Sequence, residues 1–147
     1  MNTLAKLSDT LNELMLLNGL TEQSLADKSG IPISCISSYV RGSQAPYLDT
    51  LVKLAECFNC SIDYLLGRTD KACEKTYNNP VAFAQRFKEL LKTNDCLSYS
   101  ETFGKMDISK SSFYEWKRGK SLPTLDKLVK LAEFFDCSVD FLSGREK

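Results

Sequence analysis

A long internal repeat is the feature of this sequence that most constrains its fold. The segment LVKLAECFNCSIDYLLGR at residues 51–68 returns as LVKLAEFFDCSVDFLSGR at residues 128–145, at a constant offset of 77. Over residues 41–68 and 118–145, 18 of 28 aligned positions are identical. Further upstream the offset is 76, so the second copy has one additional loop residue. A repeat of this length predicts two similar domains in tandem.

The limits of the two units are predicted from composition. Residues 69–79, TDKACEKTYNN, are polar, and Asn79-Pro80 is a pair that often interrupts one element before another begins. We therefore predict a first domain at residues 1–69, a linker at 70–79 and a second domain at 80–147.

Each unit has the periodicity of helices only. Leu4, Leu7, Leu11 and Leu14 recur at helical spacing, and signals for β-hairpins are missing. The pattern predicts an all-α fold with five short helices per unit. The predicted boundaries are a cap at Thr21, a left-handed stop at Gly30, a capping box at Ser98 and Glu101, third-helix ends at Gly42 and Gly119, fourth-helix starts at Pro46 and Pro123, caps at Ser61 and Ser138, and fifth-helix ends at Gly67 and Gly144.

The composition excludes several classes of function. Histidine is absent, which removes Ser/His and Cys/His nucleophile arrangements and the commonest metal ligand. The seven glycines are scattered and form no phosphate-binding loop. We predict that the protein is not an enzyme and uses no cofactor, metal or small-molecule ligand. No long apolar run or secretion signal is present, so we predict a cytoplasmic protein that does not bind a membrane.

The formal net charge of zero conceals an uneven distribution. Residues 1–70 carry 5 basic and 8 acidic side chains, whereas residues 80–147 carry 12 basic and 10 acidic ones. The second unit is therefore the more basic one.

Cys57 and Cys60 have the spacing of half a zinc site. Cys60 returns as Cys137 in the second unit, but Cys57 returns as Phe134. No other Cys-x2-Cys pair and no histidine completes a set of four ligands. We interpret Cys60 as a small apolar core residue, and redox sensing stays open only for Cys35 on the third helix.

The first unit resembles the lambda-repressor and Cro-like (XRE) helix-turn-helix family. The pattern of that family is Leu-Thr-x3-Leu-Ala-x3-Gly-Ile, a short helix, Arg-Gly, Pro, Leu-x2-Leu-Ala and a final Asp-x-Leu. The second unit matches it from Ile108 onward. The resemblance implies two tandem five-helix lambda-repressor-like DNA-binding domains. The matching residues of the first unit are Leu20, Thr21, Leu25, Ala26, Gly30, Ile31, Ile36, Tyr39, Arg41, Gly42, Pro46, Leu48, Leu51, Leu54, Ala55, Asp63, Leu65 and Gly67, and those of the second include Trp116, Arg118, Gly119 and Pro123.

The second unit departs from the family pattern at two places. Thr102-Phe103 stands where the family has Leu-Ala, and Asp107 stands where it has the turn glycine. A phenylalanine at the crossing of two helices is expected to push them apart or to demand repacking, at a cost of about 1–3 kcal/mol. Aspartate tolerates a left-handed turn, so the fold is expected to persist.

The resemblance implies that the third helix of each unit lies in the major groove of DNA. In the first unit this helix is predicted at residues 32–40, with Ile36 and Tyr39 facing the core. The implied DNA-binding residues of the first unit are Gln23, Ile33, Ser34, Ser37, Ser38 and Gln44, and those of the second unit are Lys110, Ser111, Tyr114, Glu115, Lys117 and Lys120. For Arg41 and Arg118 a structural role at the end of the third helix is as well supported as a DNA contact.

Two functions follow from the resemblance. The first is a sequence-specific transcriptional regulator of phage-repressor or bacterial type, with double-stranded DNA as its partner and two half-sites about one helical turn apart. The second is a protein-binding module, such as an antirepressor, antitoxin or phage inhibitor, that retains the fold. A homodimer or a regulatory protein partner is compatible with either function.

Overall fold

The computed structural model describes residues 3–69, 82–95, 99 and 101–144, without the side chains of residues 101 and 102. The chain divides into two compact units, Met1–Glu74 and Lys75–Lys147. All regular structure in the described residues is helical, with five helices in each unit, so the predicted all-α fold is confirmed. The helices of the first unit are α1 (Thr3–Leu17), α2 (Glu22–Ser29), α3 (Ile33–Arg41), α4 (Leu48–Phe58) and α5 (Ile62–Leu65), and those of the second are α6 (Phe83–Thr93), α7 (Glu101–Lys105), α8 (Lys110–Arg118), α9 (Leu125–Phe134) and α10 (Val139–Leu142).

Short-range signals fix most of the helix ends. The Thr21 side chain accepts a hydrogen bond from the Ser24 backbone N–H, and the Ser24 hydroxyl accepts one from the Thr21 N–H, which completes a capping box at the start of α2. Gly30 ends α2 with a φ of 77°, a left-handed conformation that glycine adopts at little cost. Ser61 and Ser138 cap α5 and α10 as predicted.

Several predicted boundaries differ from the structure or lie outside it. The fourth helices do not begin at Pro46 and Pro123 but two residues later, after the N-caps Tyr47 and Thr124. The fifth helices end at Leu65 and Leu142, two residues before Gly67 and Gly144, because a further short turn precedes each left-handed glycine. The predicted linker at 70–79, the Asn79-Pro80 pair and Ser98 of the predicted capping box lie outside the described residues.

The core of the first unit is largely aliphatic. Leu7, Leu25, Leu51, Leu54 and Ile62 are fully buried, which accounts for much of the hydrophobic stabilisation of this unit. Two polar side chains join α1 to the end of α3: the Ser8 hydroxyl donates to the Val40 carbonyl at 2.6 Å, and the Asn12 amide donates to it at 3.1 Å.

The core of the second unit is built around aromatic rings. Phe87 of α6 lies edge-on to Phe113, Trp116 and Phe135, at centroid distances of 5.6, 6.0 and 6.4 Å. Such edge-to-face pairs add to the stabilisation from burial. The aligned position in the first unit is Leu11, so the two units fill the same place in the fold with different side-chain volumes.

Phe103, the expected point of conflict in the second unit, is accommodated by repacking. Its side chain is fully buried, and its ring lies 4.9 Å from that of Phe113 and 5.5 Å from that of Phe134. Asp107 adopts the left-handed conformation expected at its turn, with a φ of 60°. These ring contacts are the repacking that was expected as one of the two outcomes for Phe103.

Candidate nucleic-acid interface

The third helix of each unit presents one face to the core and the opposite face outward. Ile36 and Tyr39 of α3 are 1% and 5% exposed, which confirms the predicted inward face. Because an α-helix has 3.6 residues per turn, Ser37 and Ser38, which directly follow Ile36, point away from the core. In α8 the inward residues are Phe113 and Trp116, at the aligned positions.

The outward face of α3 carries serines together with Ile33 and Arg41. Ser34 is exposed, Ile33 is 43% exposed, and Ser38 is half-buried. The Ser38 hydroxyl donates to the carbonyl of Ser34 one turn earlier at 3.1 Å. Arg41, the last residue of α3, is exposed at the same face.

Ser37 is held by a side chain from the preceding helix. Its hydroxyl donates a hydrogen bond to Oε1 of Glu22, the first residue of α2. Both side chains are half-buried. The bond joins residues that lie 15 apart in sequence and ties the two helices of the motif together beside the outward face.

Gln23 and Gln44 take no part in the hydrogen bond between Ser37 and Glu22. The Gln23 side chain is exposed, and its amide donates to Oδ1 of Asp27 at 3.0 Å. Because a carboxylate only accepts, this bond fixes which end of the amide faces Asp27. Gln44 is exposed in the loop between α3 and α4.

The structure brings four of the six residues predicted in the second unit into one shallow depression on α8. Lys110, Ser111, Tyr114 and Glu115 line this depression together with Arg118. Its floor therefore combines two cations, two hydroxyls and one carboxylate. Lysine and arginine suit phosphate or guanine, and a carboxylate can accept a hydrogen bond from the amino group of cytosine.

The other two residues predicted in the second unit, Lys117 and Lys120, are not among those that line the depression. The Lys117 ammonium is 5.6 Å from the ring centroids of both Phe113 and Tyr114, within range of a cation–π interaction. Lys120 is exposed in the following loop. Glu115 accepts a hydrogen bond from the Ser121 hydroxyl at 3.1 Å, which ties this loop to α8.

Three residues beside the candidate interface do not belong to the set of DNA-binding residues that the resemblance implies. Glu22 and Asp27 hold predicted residues in place, and Arg118 lines the depression itself. The repeated Arg-Gly pair points to Arg118, for which the sequence supports a structural role at least as well as a DNA contact. No local signal leads to Glu22, because its partner lies in a different helix.

Four cysteines lie in the described part of the chain: Cys35, Cys57, Cys60 and Cys137. Cys60 is 2% exposed, in agreement with its interpretation as a core residue, whereas Cys57 and Cys35 are half-buried free thiols. Among the described residues, no group of three or more Cys, Asp or Glu side chains is placed to hold a metal ion. Burial raises the pKa of the Cys57 thiol, partly offset by Lys28 nearby. A raised pKa makes this thiol less reactive than an exposed one.

Two short helices joined by a tight left-handed turn, the second with an exposed polar face, define a helix-turn-helix protein. The helix-turn-helix family model matches residues 11–65 and 97–142, one span in each unit. These spans cover more than half of the sequence, and the chain belongs to the XRE-type helix-turn-helix family.

Three proteins of Bacillus subtilis (strain 168) are similar to this chain. The uncharacterized HTH-type transcriptional regulator YobD is 36% identical over 85 residues, which cover 58% of this chain and 70% of YobD. The HTH-type transcriptional regulator ImmR is 32% identical over 96 residues, covering 60% and 76%. The uncharacterized HTH-type transcriptional regulator YqaE is 32% identical over 82 residues, covering 52% and 71%.

No solved structure matches this chain. None of the helices that the structure describes has the length and apolar character needed to cross a bilayer.

Proposed function

We propose that this chain is a sequence-specific transcriptional regulator that reads double-stranded DNA with α3 and α8 in the major groove. The observation that carries the proposal is the depression on α8, where Lys110, Ser111, Tyr114, Glu115 and Arg118 meet on the outward face of a third helix. The family and the names of its relatives support the same function. A helix of this kind fits the major groove, where each base pair displays its own pattern of donors and acceptors.

The two units contribute differently to binding. The outward face of α8 and its loop carries Lys110, Lys117, Arg118 and Lys120, which supply charge for phosphate contacts. Phosphate contacts give most of the affinity and its dependence on salt. The face of α3 carries serines and one cation, Arg41, so it contributes less charge and acts mainly through base edges.

The experiment is a fluorescence anisotropy titration of the full chain with short genomic duplexes at 50 and 200 mM salt. Binding that is tight at low salt and weakens strongly at high salt is expected for a protein that neutralises several phosphates, by about 10³ or more in affinity for six contacts. A chain that binds no duplex at low salt would contradict the proposal.

A protein-binding role is the second candidate, because the outward side of the first unit carries acidic groups. Glu22 and Asp27 both lie on α2, Glu22 is bonded to Ser37 of α3, and residues 1–70 have more acidic than basic side chains. Under this alternative the first unit binds a basic protein surface. Such a chain would fail the DNA titration at both salt concentrations.

A further inference from the structure

We propose that Glu22 sets the base preference of the first unit by holding Ser37 as a hydrogen-bond acceptor. The proposal rests on the proposed function, since it assumes that the outward face of α3 meets base edges. The observation behind it is the hydrogen bond from the Ser37 hydroxyl to Oε1 of Glu22.

A serine hydroxyl normally does not discriminate between donor and acceptor groups on the bases. It carries one donor and two acceptor lone pairs, and its hydrogen rotates to suit whichever base group it meets. An ionised carboxylate can only accept hydrogen bonds. A serine bonded to it therefore directs its single hydroxyl proton to the carboxylate. Bound to Glu22, Ser37 offers incoming DNA only lone pairs.

The position of Ser37 makes this restriction relevant to the groove. Ser37 follows Ser34 by three residues, which places both on one face of α3. Ile36 and Tyr39, on the other side of the helix, are buried in the core. Ser37 is half-buried, so its oxygen remains partly open to the outside while Glu22 holds its hydrogen.

Ser38 extends the same pattern along the helix. Its hydroxyl donates to the Ser34 carbonyl at 3.1 Å, so its proton is also used within the unit. The two adjacent hydroxyls therefore present acceptors. The bond to a backbone carbonyl is between neutral groups, whereas the bond of Ser37 is to a carboxylate and is the stronger restraint.

Acceptors on the helix select amino groups on the bases. In the major groove these are N6 of adenine and N4 of cytosine, whereas O6 and N7 of guanine and O4 of thymine are acceptors and would be opposed by lone pairs. We infer that one position of the site read by the first unit requires a base with a major-groove amino group.

The second unit does not repeat this glutamate–serine pair at the aligned positions. The positions aligned with Glu22 and Ser37 are Tyr99 and Tyr114. The Tyr99 hydroxyl donates to the Ile108 carbonyl at 3.0 Å and thus serves the turn between the two helices. The amino-group preference that depends on Glu22 and Ser37 is therefore expected in the half of the site that the first unit reads, whereas in α8 only Glu115 is a carboxylate that could accept from a base amino group.

The experiment selects bound duplexes from a randomised library with the full chain and with three variants. Glu22→Gln replaces the carboxylate with an amide that can donate to the Ser37 oxygen, which leaves the Ser37 hydroxyl hydrogen available to a base. Ser37→Ala removes the hydroxyl itself. Glu13→Gln on α1 is the matched control, since it makes the same chemical change on an exposed residue of the same unit. Thermal melts followed by circular dichroism establish that each variant is folded.

The wild-type chain and Glu13→Gln are expected to prefer an amino-bearing base at one position by about three- to tenfold, the effect of one hydrogen bond. Glu22→Gln weakens this preference or moves it to a base acceptor, and Ser37→Ala abolishes it. Replacing the preferred adenine with purine, or the preferred cytosine with 2-pyrimidinone, costs the wild-type chain the same three- to tenfold and identifies which amino group is read.

Two results would overturn the inference, and they are distinguishable from each other. If Glu22→Gln and Glu13→Gln both raise the affinity for all duplexes and leave every base preference intact, Glu22 acts only through its charge, and the proposed function stands without the inference. If the wild-type chain selects no duplex, the proposed function fails and the inference fails with it.

Discussion

Phe103 and Phe134 pack against each other in the second unit, with their ring centroids 5.5 Å apart, at positions that Ala26 and Cys57 occupy in the first unit. Both members of the pair are larger in the second unit. Ala26 and Phe103 are both buried, so each version fills its own site. The additional ring at position 103 has thus been matched by an additional ring at position 134, which explains how the second unit keeps the motif without the small residue at the helix crossing.

Replacing Phe103 with alanine is expected to lower the free energy of unfolding of the second unit by about 3–5 kcal/mol, because it leaves a cavity in a fully packed core. Trp116 is the only tryptophan of the chain and is 3% exposed in this unit, so its fluorescence during urea denaturation reports the change. Phe134→Ala is the control. Phe134 is 38% exposed, and its loss is expected to cost less than about 2 kcal/mol. Equal costs for the two variants would show that Phe103 is not the centre of the repacked cluster.

Much of this architecture is predictable from sequence because it rests on local signals. Periodicity, capping and turn chemistry predict the five helices of each unit, the left-handed end of α2 at Gly30 and the inward face of α3. The repacking around Phe103 and the bond between Ser37 and Glu22 depend on contacts between separate helices. Sequence spacing does not reveal such contacts, so Glu22 was missed although Ser37 was among the predicted residues.

Gly104 is constrained by the side chain of Tyr99. A Cβ atom at this position would lie 2.8 Å from the Tyr99 hydroxyl, which donates to the Ile108 carbonyl. Gly104→Ala is therefore expected to break that hydrogen bond and to destabilise the second unit by about 1 kcal/mol, even though alanine is the better helix former. In a Tyr99→Phe background the clash is removed, and the same substitution is expected to stabilise by about 1 kcal/mol.

The measurement for Gly104 is a double-mutant cycle on urea unfolding monitored at Trp116. The expected coupling energy is about 2 kcal/mol. If Gly104→Ala has the same effect in both backgrounds, the hydroxyl of Tyr99 does not limit this position.

Tyr39 is expected to make the first unit sensitive to alkaline pH. Burial, followed by the nearby Cys35, raises the pKa of its hydroxyl. In the unfolded chain this group loses its proton near pH 10, and in the folded chain it does so only at higher pH. Its contribution to stability is complete below pH 10 and is lost as the pH rises from there through the folded-state pKa.

Tyr39→Phe provides the comparison, because it keeps the ring and removes the titrating group. Urea unfolding followed by circular dichroism at pH 8, 9, 10 and 11 should show the stability of the wild-type chain falling relative to the variant only above about pH 10. A constant difference across this range would mean that the pKa of Tyr39 is the same in the folded and unfolded chain.

The dependence of DNA binding on salt is expected to come mainly from the second unit. Replacing Lys117, Arg118 and Lys120 with alanine should flatten the slope of log affinity against log salt by up to about 3 units, because each phosphate contact contributes about 0.9. Lys88→Ala with Lys92→Ala is the control, since both lysines are exposed on α6 and do not belong to the proposed DNA-binding residues, and their removal should change the slope less. Anisotropy titrations at four salt concentrations measure both slopes. If the triple variant keeps the wild-type slope, the phosphate contacts belong to the first unit, and the depression on α8 is not the DNA-binding face.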